Sequence, residues 1–291
     1  VDFSKPGSSI TVPAAAGTVP GAGALYSALV GWSASKALPS RLRPLAYRAF
    51  ARAVGANLDE AELELAAYPS LGDFFARRLR EGARTIEPAA DAISSPCDGV
   101  IAARGTAVDG ALVQAKGRNY RLEELIADEG WASELTNGQY VTIYLSPRDY
   151  HRVHTPVSGV VERYDYLPGA LWPVNPKLAA RRDALLARNE RVVIRLNAGA
   201  LGSVAVVMVG AAGVGNMTLA HGPSIPFSAA SLRAAGERRR LELDQPVERG
   251  DELGAFRLGS TVVVIFQPGA VVLAGEVGDA VRFGQRIGGH A

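Results

Sequence analysis

From Ala92 to its C-terminal end the chain carries its apolar residues in short runs, and this spacing limits its fold more than any other feature. The runs are Tyr140 to Leu145, Val157 to Tyr164, Arg191 to Leu196, Val204 to Val209, Val262 to Phe266 and Val271 to Ala274. They are rich in β-branched residues, and Gly, Pro, Asn and Asp separate them. Runs of that length and composition predict strands. Helix is expected to return only over residues 122–127 and 177–188. Two later segments, PVERGDELGAF and GEVGDAVRFGQ, each hold a Gly-Asp turn between apolar residues. They predict paired hairpins in a compact barrel or sandwich. Modules of that shape that carry a lipoyl or biotin arm need a lysine at a hairpin tip. Lys5, Lys36, Lys116 and Lys177 all lie outside the two segments, which argues against a swinging-arm carrier.

The first 88 residues read as helical. Periodic apolar positions run over residues 61–67, behind an Asn-Leu-Asp-Glu start, and over residues 71–81. From Lys36 to Arg52 there are five basic residues (Lys36, Arg41, Arg43, Arg48, Arg52) and no acid. Leu42, Leu45, Ala46, Ala49, Phe50 and Ala53 fall at helical spacing in the same stretch, with Pro44 near its start. A basic amphipathic helix over residues 40–54 suits either a membrane interface with anionic lipid or a surface packed on its own domain. Residues 21–38 are apolar but broken by Gly31, Ser33 and Ser35, short of a spanning helix. A secretory signal is not expected, since no charged segment followed by an apolar run and a cleavage site is read. The expectation is a peripheral protein of α+β class. A helical, membrane-docking region (1–88) precedes a β-rich, barrel-sandwich-like body of short antiparallel strands (89–291). A net charge of +2, with no nucleic-acid motif, gives no reason to expect nucleic acid. The single cysteine, Cys97, excludes an intramolecular disulfide.

Three separated segments carry chemistry. In LGST, Ser260 follows Gly259 and precedes a β-branched run. A glycine there permits the unusual backbone shape in which a serine hydroxyl attacks the carbonyl before it. Such an attack gives an ester, and β-elimination then breaks the chain and leaves dehydroalanine, which hydrolyses to a pyruvoyl end with loss of ammonia. YLSPRDYHRVHTPVSG holds His151 and His154, two of four histidines and the side chains best suited to take a hydroxyl proton. Spaced at i and i+3 they would point oppositely in a regular strand, so a turn or bulge is needed if both serve one site. A metal site would need further ligands, and only His221 and His290 remain as histidines. SPCDG places Asp98 before a turn; it suits either a turn cap or a partner that holds a histidine's tautomer.

Together, LGST, SPRDYHRVHTP and SPCDG resemble the pyruvoyl-dependent phosphatidylserine decarboxylases. The likeness extends to FFARRLREGARTIEP (Phe74 to Pro88), LWPVNP (Leu171 to Pro176), RNERVV (Arg188 to Val193) and VMVGAAGVG (Val207 to Gly215). The LGST form and the long N-terminal part are similar to the longer bacterial members. Trp172 and Pro173 depart from the Phe and small residue expected in that loop.

The resemblance implies that Asp98, His154 and Ser260 form a self-cleavage relay, with His151 supporting and acting in the second step. Cleavage between Gly259 and Ser260 would give fragments 1–259 and 260–291 that stay together as a heterodimer. The smaller would begin with a pyruvoyl group made from Ser260, which holds the substrate amine as a Schiff base; neither a metal nor pyridoxal phosphate is expected. Trp172 and Asn175 are the candidate substrate loop. The substrate would be phosphatidylserine, the product phosphatidylethanolamine, and the location the cytoplasmic face of the cell membrane. The rival readings are an unprocessed Ser-His-Asp hydrolase, for which the G-x-S-x-G elbow is missing, and a non-catalytic barrel-sandwich binding module.

Overall fold

The computed structural model describes residues 36–115, 118–174, 181–211, 217–221, 237–257 and 260–291. Asn175 and Gly259 lie outside the described residues, as do most of residues 21–38. In chain order the strands are β1 (Ala92–Ser94), β2 (Gly99–Thr106), β3 (Ala111–Ala115), β4 (Arg118–Arg121), β5 (Gln139–Leu145), β6 (Arg152–His154), β7 (Gly159–Leu167) and β8 (Arg191–Asn197). They continue as β9 (Ser203–Gly210), β10 (Met217–Leu219), β11 (Arg239–Val247), β12 (Glu252–Phe256), β13 (Ser260–Phe266), β14 (Val271–Leu273), β15 (Ala280–Val281) and β16 (Arg286–His290). The helices are α1 (Arg43–Val54), α2 (Leu71–Phe75), α3 (Leu122–Ile126), α4 (Glu129–Leu135) and α5 (Leu185–Arg188). The fold is α+β with a β-rich body, as the apolar runs predict.

The main sheet is antiparallel in the order β11-β7-β8-β9-β13-β5-β2-β15. β13 lies inside it, bonded to β9 on one side and β5 on the other. Val262 to Phe266 are all fully buried, which explains an unbroken apolar run where a half-exposed strand would alternate. Smaller sheets have the orders β1-β16-β14, β10-β12-β6 and β3-β4, and β6 of the second carries His154.

The paired-hairpin expectation for the Gly-Asp segments is overturned. β11 pairs with β7 while β12 pairs with β6 and β10, so the first segment links two sheets. The second leads into β15, which pairs with β2. The turns themselves do match: Gly250 and Gly278 have positive φ, and Asp251 and Asp279 each accept from the backbone N–H three residues earlier, at 2.8 and 2.7 Å. Local turn chemistry is repeated, but strand pairing is not.

Among its described residues the N-terminal region is less helical than its periodicity predicts. Residues 61–67 hold only a 3-10 turn at Leu65–Ala67, and the extended Tyr68 before Pro69 ends it. α2 stops at Phe75, because the chain then turns back to pair Leu79 with Ala61 and the Ala76 carbonyl accepts from Arg152 Nε at 3.0 Å. In the 177–188 stretch, helix is limited to α5 among the described residues. α1 forms as expected, with Pro44 in its first turn and Gly55 in the left-handed cap. Its packed face differs from the expected one. Tyr47 and Ala51 are buried, Tyr47 stacking on Phe74 at 4.9 Å, whereas Leu42 and Leu45 are exposed beside Arg41, Arg48 and Arg52.

Gly99, next to Asp98, sits where β2 meets β5. A Cβ there would lie 2.5 Å from the Tyr144 carbonyl oxygen. Gly99→Ala should therefore destabilise the chain by about 1–3 kcal/mol, the cost of forced overpacking, read as a lower denaturant midpoint. An unchanged midpoint would contradict this packing.

Candidate active site

Ser260 opens β13 in register with the last residues of its neighbours, Leu145 of β5 and Gly210 of β9, and is fully buried. Its Oγ lies 3.3 Å from His151 Nδ1. The other ring nitrogen, Nε2, is 3.0 Å from the Ser146 carbonyl. A carbonyl only accepts, so Nε2 carries the proton and Nδ1 turns its lone pair toward the serine hydroxyl. Burial pushes His151 down to about 3; the Ser146 bond opposes this and the Arg77 charge adds to it. The ring is therefore neutral near pH 7, the form that takes a proton. Phe75 covers it at 4.0 Å between ring centroids, and the Phe256 N–H donates to the His151 carbonyl at 2.8 Å.

His154 ends β6 and points elsewhere. Its Nδ1 donates to the Gly250 carbonyl at 2.8 Å, so Nε2 accepts from the Tyr150 hydroxyl at 3.0 Å. Phe283 stacks on its other side at 3.7 Å. Burial pushes His154 down to about 4, against the Gly250 bond. The pairing of β12 with β6 shifts register between Glu252 and Gly254, opposite His154. His151 stands just before β6, which is how the two rings at i and i+3 escape regular strand geometry.

Asp98 is buried at the turn into β2. Arg84 grips it with Nε on Oδ1 at 3.0 Å and Nη2 on Oδ2, and also holds Glu60 at 2.9 Å. The Phe283 N–H donates to Asp98 Oδ1 at 2.8 Å. Asp98 thus reaches His154 through Phe283, by fixing the backbone of the residue whose ring covers the imidazole. The structure brings Ser260, His151, His154 and Asp98 into one region, and the histidine in contact with Ser260 is His151.

The Trp172 loop is tied to the same place. Asn189 binds Trp172 on both sides, accepting from its N–H at 3.2 Å and donating to its carbonyl at 2.8 Å. It also donates to the Gly210 carbonyl at 2.9 Å, beside Ser260. Arg84, Tyr150, Asn189 and Phe283 are contributors that residue-level reading did not single out. Each lies inside a segment that the sequence marks: Arg84 in FFARRLREGARTIEP, Tyr150 in SPRDYHRVH, Asn189 in RNERVV and Phe283 in GEVGDAVRFGQ. No group of three or more His, Cys, Asp and Glu able to hold a metal is present among the described residues.

Residues 71–289 match the family model described as phosphatidylserine decarboxylase. Three similar proteins are each named phosphatidylserine decarboxylase proenzyme. One from Anaeromyxobacter sp. is 45% identical over 267 residues, covering 91% of this chain and 92% of its own. One from Myxococcus xanthus is 38% identical over 264 residues, covering 90% and 92%, and one from Yersinia enterocolitica is 40% identical over 263 residues, covering 88% and 89%. The chain belongs to the phosphatidylserine decarboxylase family.

Both histidines bind their proton less readily folded than at the ordinary value of 6.5. The unfolded chain then takes up protons first as pH falls, so their contribution is intact above about 6.5 and is lost progressively toward about 4 and 3. With Ser260→Ala in both chains, so that each stays whole, adding His154→Phe should flatten the fall in melting temperature between pH 7 and pH 4.5. An equally steep fall in the variant would contradict a buried neutral His154.

Proposed function

We propose that this chain is a proenzyme that cuts itself between Gly259 and Ser260 and then decarboxylates phosphatidylserine to phosphatidylethanolamine. The observation that carries the reading is a fully buried serine at the start of an internal strand, in contact with a neutral histidine, in a chain of this family. In the processing step Ser260 Oγ bonds to the Gly259 carbonyl carbon and the Gly259–Ser260 amide bond breaks, leaving an ester and a free amine. Loss of the Ser260 α-proton then breaks the Cβ–Oγ bond, giving a carboxylate on Gly259 and dehydroalanine at position 260. Water replaces its nitrogen, ammonia leaves, and a pyruvoyl group remains on Thr261.

That group is built from atoms already at position 260, and it stays between Leu145, Gly210 and His151. There it supplies the electron sink that decarboxylation needs, the part pyridoxal phosphate plays elsewhere. The apolar side chains of Phe75, Leu145 and Phe256 are buried, and such surroundings favour neutral CO₂ over a carboxylate. His151 Nδ1 can hold and return a proton at this position, which suits it to the second step. Asp98 and His154 keep the processing role that the resemblance gives them. His154 must then exchange its Tyr150 contact for the Ser260 hydroxyl. Trp172, anchored by Asn189, and Asn175 form the substrate loop.

The two fragments would remain one heterodimer. Burying Val262, Val263, Val264, Ile265 and Phe266 stabilises the pair by roughly 1.5–3 kcal/mol per side chain, and both sheet neighbours of β13 belong to the larger fragment. The exposed Leu42, Leu45, Arg41, Arg48 and Arg52 suit α1 to an anionic membrane surface, so we place the enzyme as a peripheral protein on the cytoplasmic face. No described helix is long and apolar enough to cross a membrane.

His154→Ala should give a single uncleaved chain on a denaturing gel. His151→Ala should cleave but lose decarboxylation of phosphatidylserine vesicles by about a hundredfold or more, the scale of general acid–base catalysis. The reverse pattern would move the relay to His151. Glu at Arg41, Arg48 and Arg52 together should weaken binding to anionic vesicles and leave cleavage intact; unchanged binding would remove α1 from the docking surface.

A further inference from the structure

The chain leaves β12 at Phe256 and re-enters regular structure at Ser260, so three residues link two different sheets. The first of the three, Arg257, is half-buried and binds Asp73 Oδ1 at 2.6 Å. Asp73 is itself fixed. Its Oδ2 accepts from the Ser70 N–H at 3.2 Å and the Ser70 hydroxyl at 2.6 Å, while its N–H donates back to that hydroxyl at 3.1 Å, a complete capping box for α2. Two residues on, Phe75 lies against the His151 ring. The residue before Arg257, Phe256, bonds the His151 backbone. One five-residue helix therefore grips both the histidine beside Ser260 and the segment leading to the scissile link.

As a source of stability this ion pair counts for little, since solvent screens a partly exposed pair and holding two long side chains together costs entropy. As a restraint it acts two residues before Gly259, whose carbonyl reacts, where small displacements are costly. An intramolecular attack requires near-contact of the reacting atoms, and a misplacement of about 1 Å costs on the order of a hundredfold in rate.

We propose that the Asp73–Arg257 ion pair is a positioning device for self-cleavage, holding the segment upstream of Gly259–Ser260 in place against the Ser260 and His151 side of the site. This rests on the self-cleavage reading above. Arg257 is a positioning residue: its guanidinium bonds Asp73, and it acts on the reacting atoms only through the backbone that follows it. The N-terminal region then takes part in processing as well as in docking.

The test follows self-cleavage of newly synthesised full-length chain by gel and intact mass, in wild type, Arg257→Glu, Arg257→Lys and Arg195→Met. Arg195 on β8 serves as the control because it pairs with Glu134 of α4 and Glu162 of β7. Melting temperature is measured in parallel on each variant combined with Ser260→Ala, which keeps every chain whole. Arg257→Glu should slow cleavage about ten- to hundredfold with little change in melting temperature, and Arg257→Lys should restore most of the rate. Arg195→Met should cleave like wild type. Cleavage of Arg257→Glu at the wild-type rate would overturn the proposal while leaving the self-cleavage reading standing. So would equal slowing in Arg257→Lys and Arg257→Glu, or a rate loss matched by a fall in melting temperature. Wild type that never cleaves would overturn both.

Discussion

The position of Ser260 depends on β13 being hydrogen-bonded along both edges. β9 and β5 fix the strand from its first residue by continuous pairing on both edges, and the five apolar side chains that follow are fully buried on both faces of the sheet. A serine held this way cannot move to meet a partner, so the partners must be brought to it. That is what the surrounding elements do.

His151 is delivered by the turn before β6, oriented by the Ser146 carbonyl and covered by Phe75. The tautomer follows from one backbone acceptor, and neutrality follows from burial. His154 is held by a second, separate set of contacts, with Gly250 and Tyr150 on its nitrogens and Phe283 on its face. Asp98 organises this second set at a distance, neutralised by Arg84 and bonded to the Phe283 backbone. Two histidines three residues apart thus occupy two environments, which suits a chain that must first cut itself and then act on a substrate.

Much of this was legible in the sequence, for reasons specific to each element. The strands were readable because β-branched runs bounded by Gly, Pro, Asn and Asp have few other uses. The four site residues stood out because each sits in a distinctive local setting. Over residues 71–81 tertiary pairing of Leu79 with Ala61 overrides the helical periodicity. The Gly-Asp segments showed their turns but not their partners, since turn chemistry is local and strand pairing is not. The part Phe283 plays is not legible because its bond to Asp98 spans 185 residues, nor is that of Asn189, which joins a loop to a strand end.

The central claim is that an ordinary serine becomes the carbonyl end of a new chain. Intact-mass measurement of freshly purified wild type, with and without borohydride, tests it most directly. The account predicts two polypeptides, residues 1–259 and a shorter one from 260 to 291, the shorter gaining the mass of two hydrogens on reduction, while Ser260→Ala remains a single chain. A wild-type protein that stays whole, or a shorter fragment that begins with a free serine amine, would contradict it.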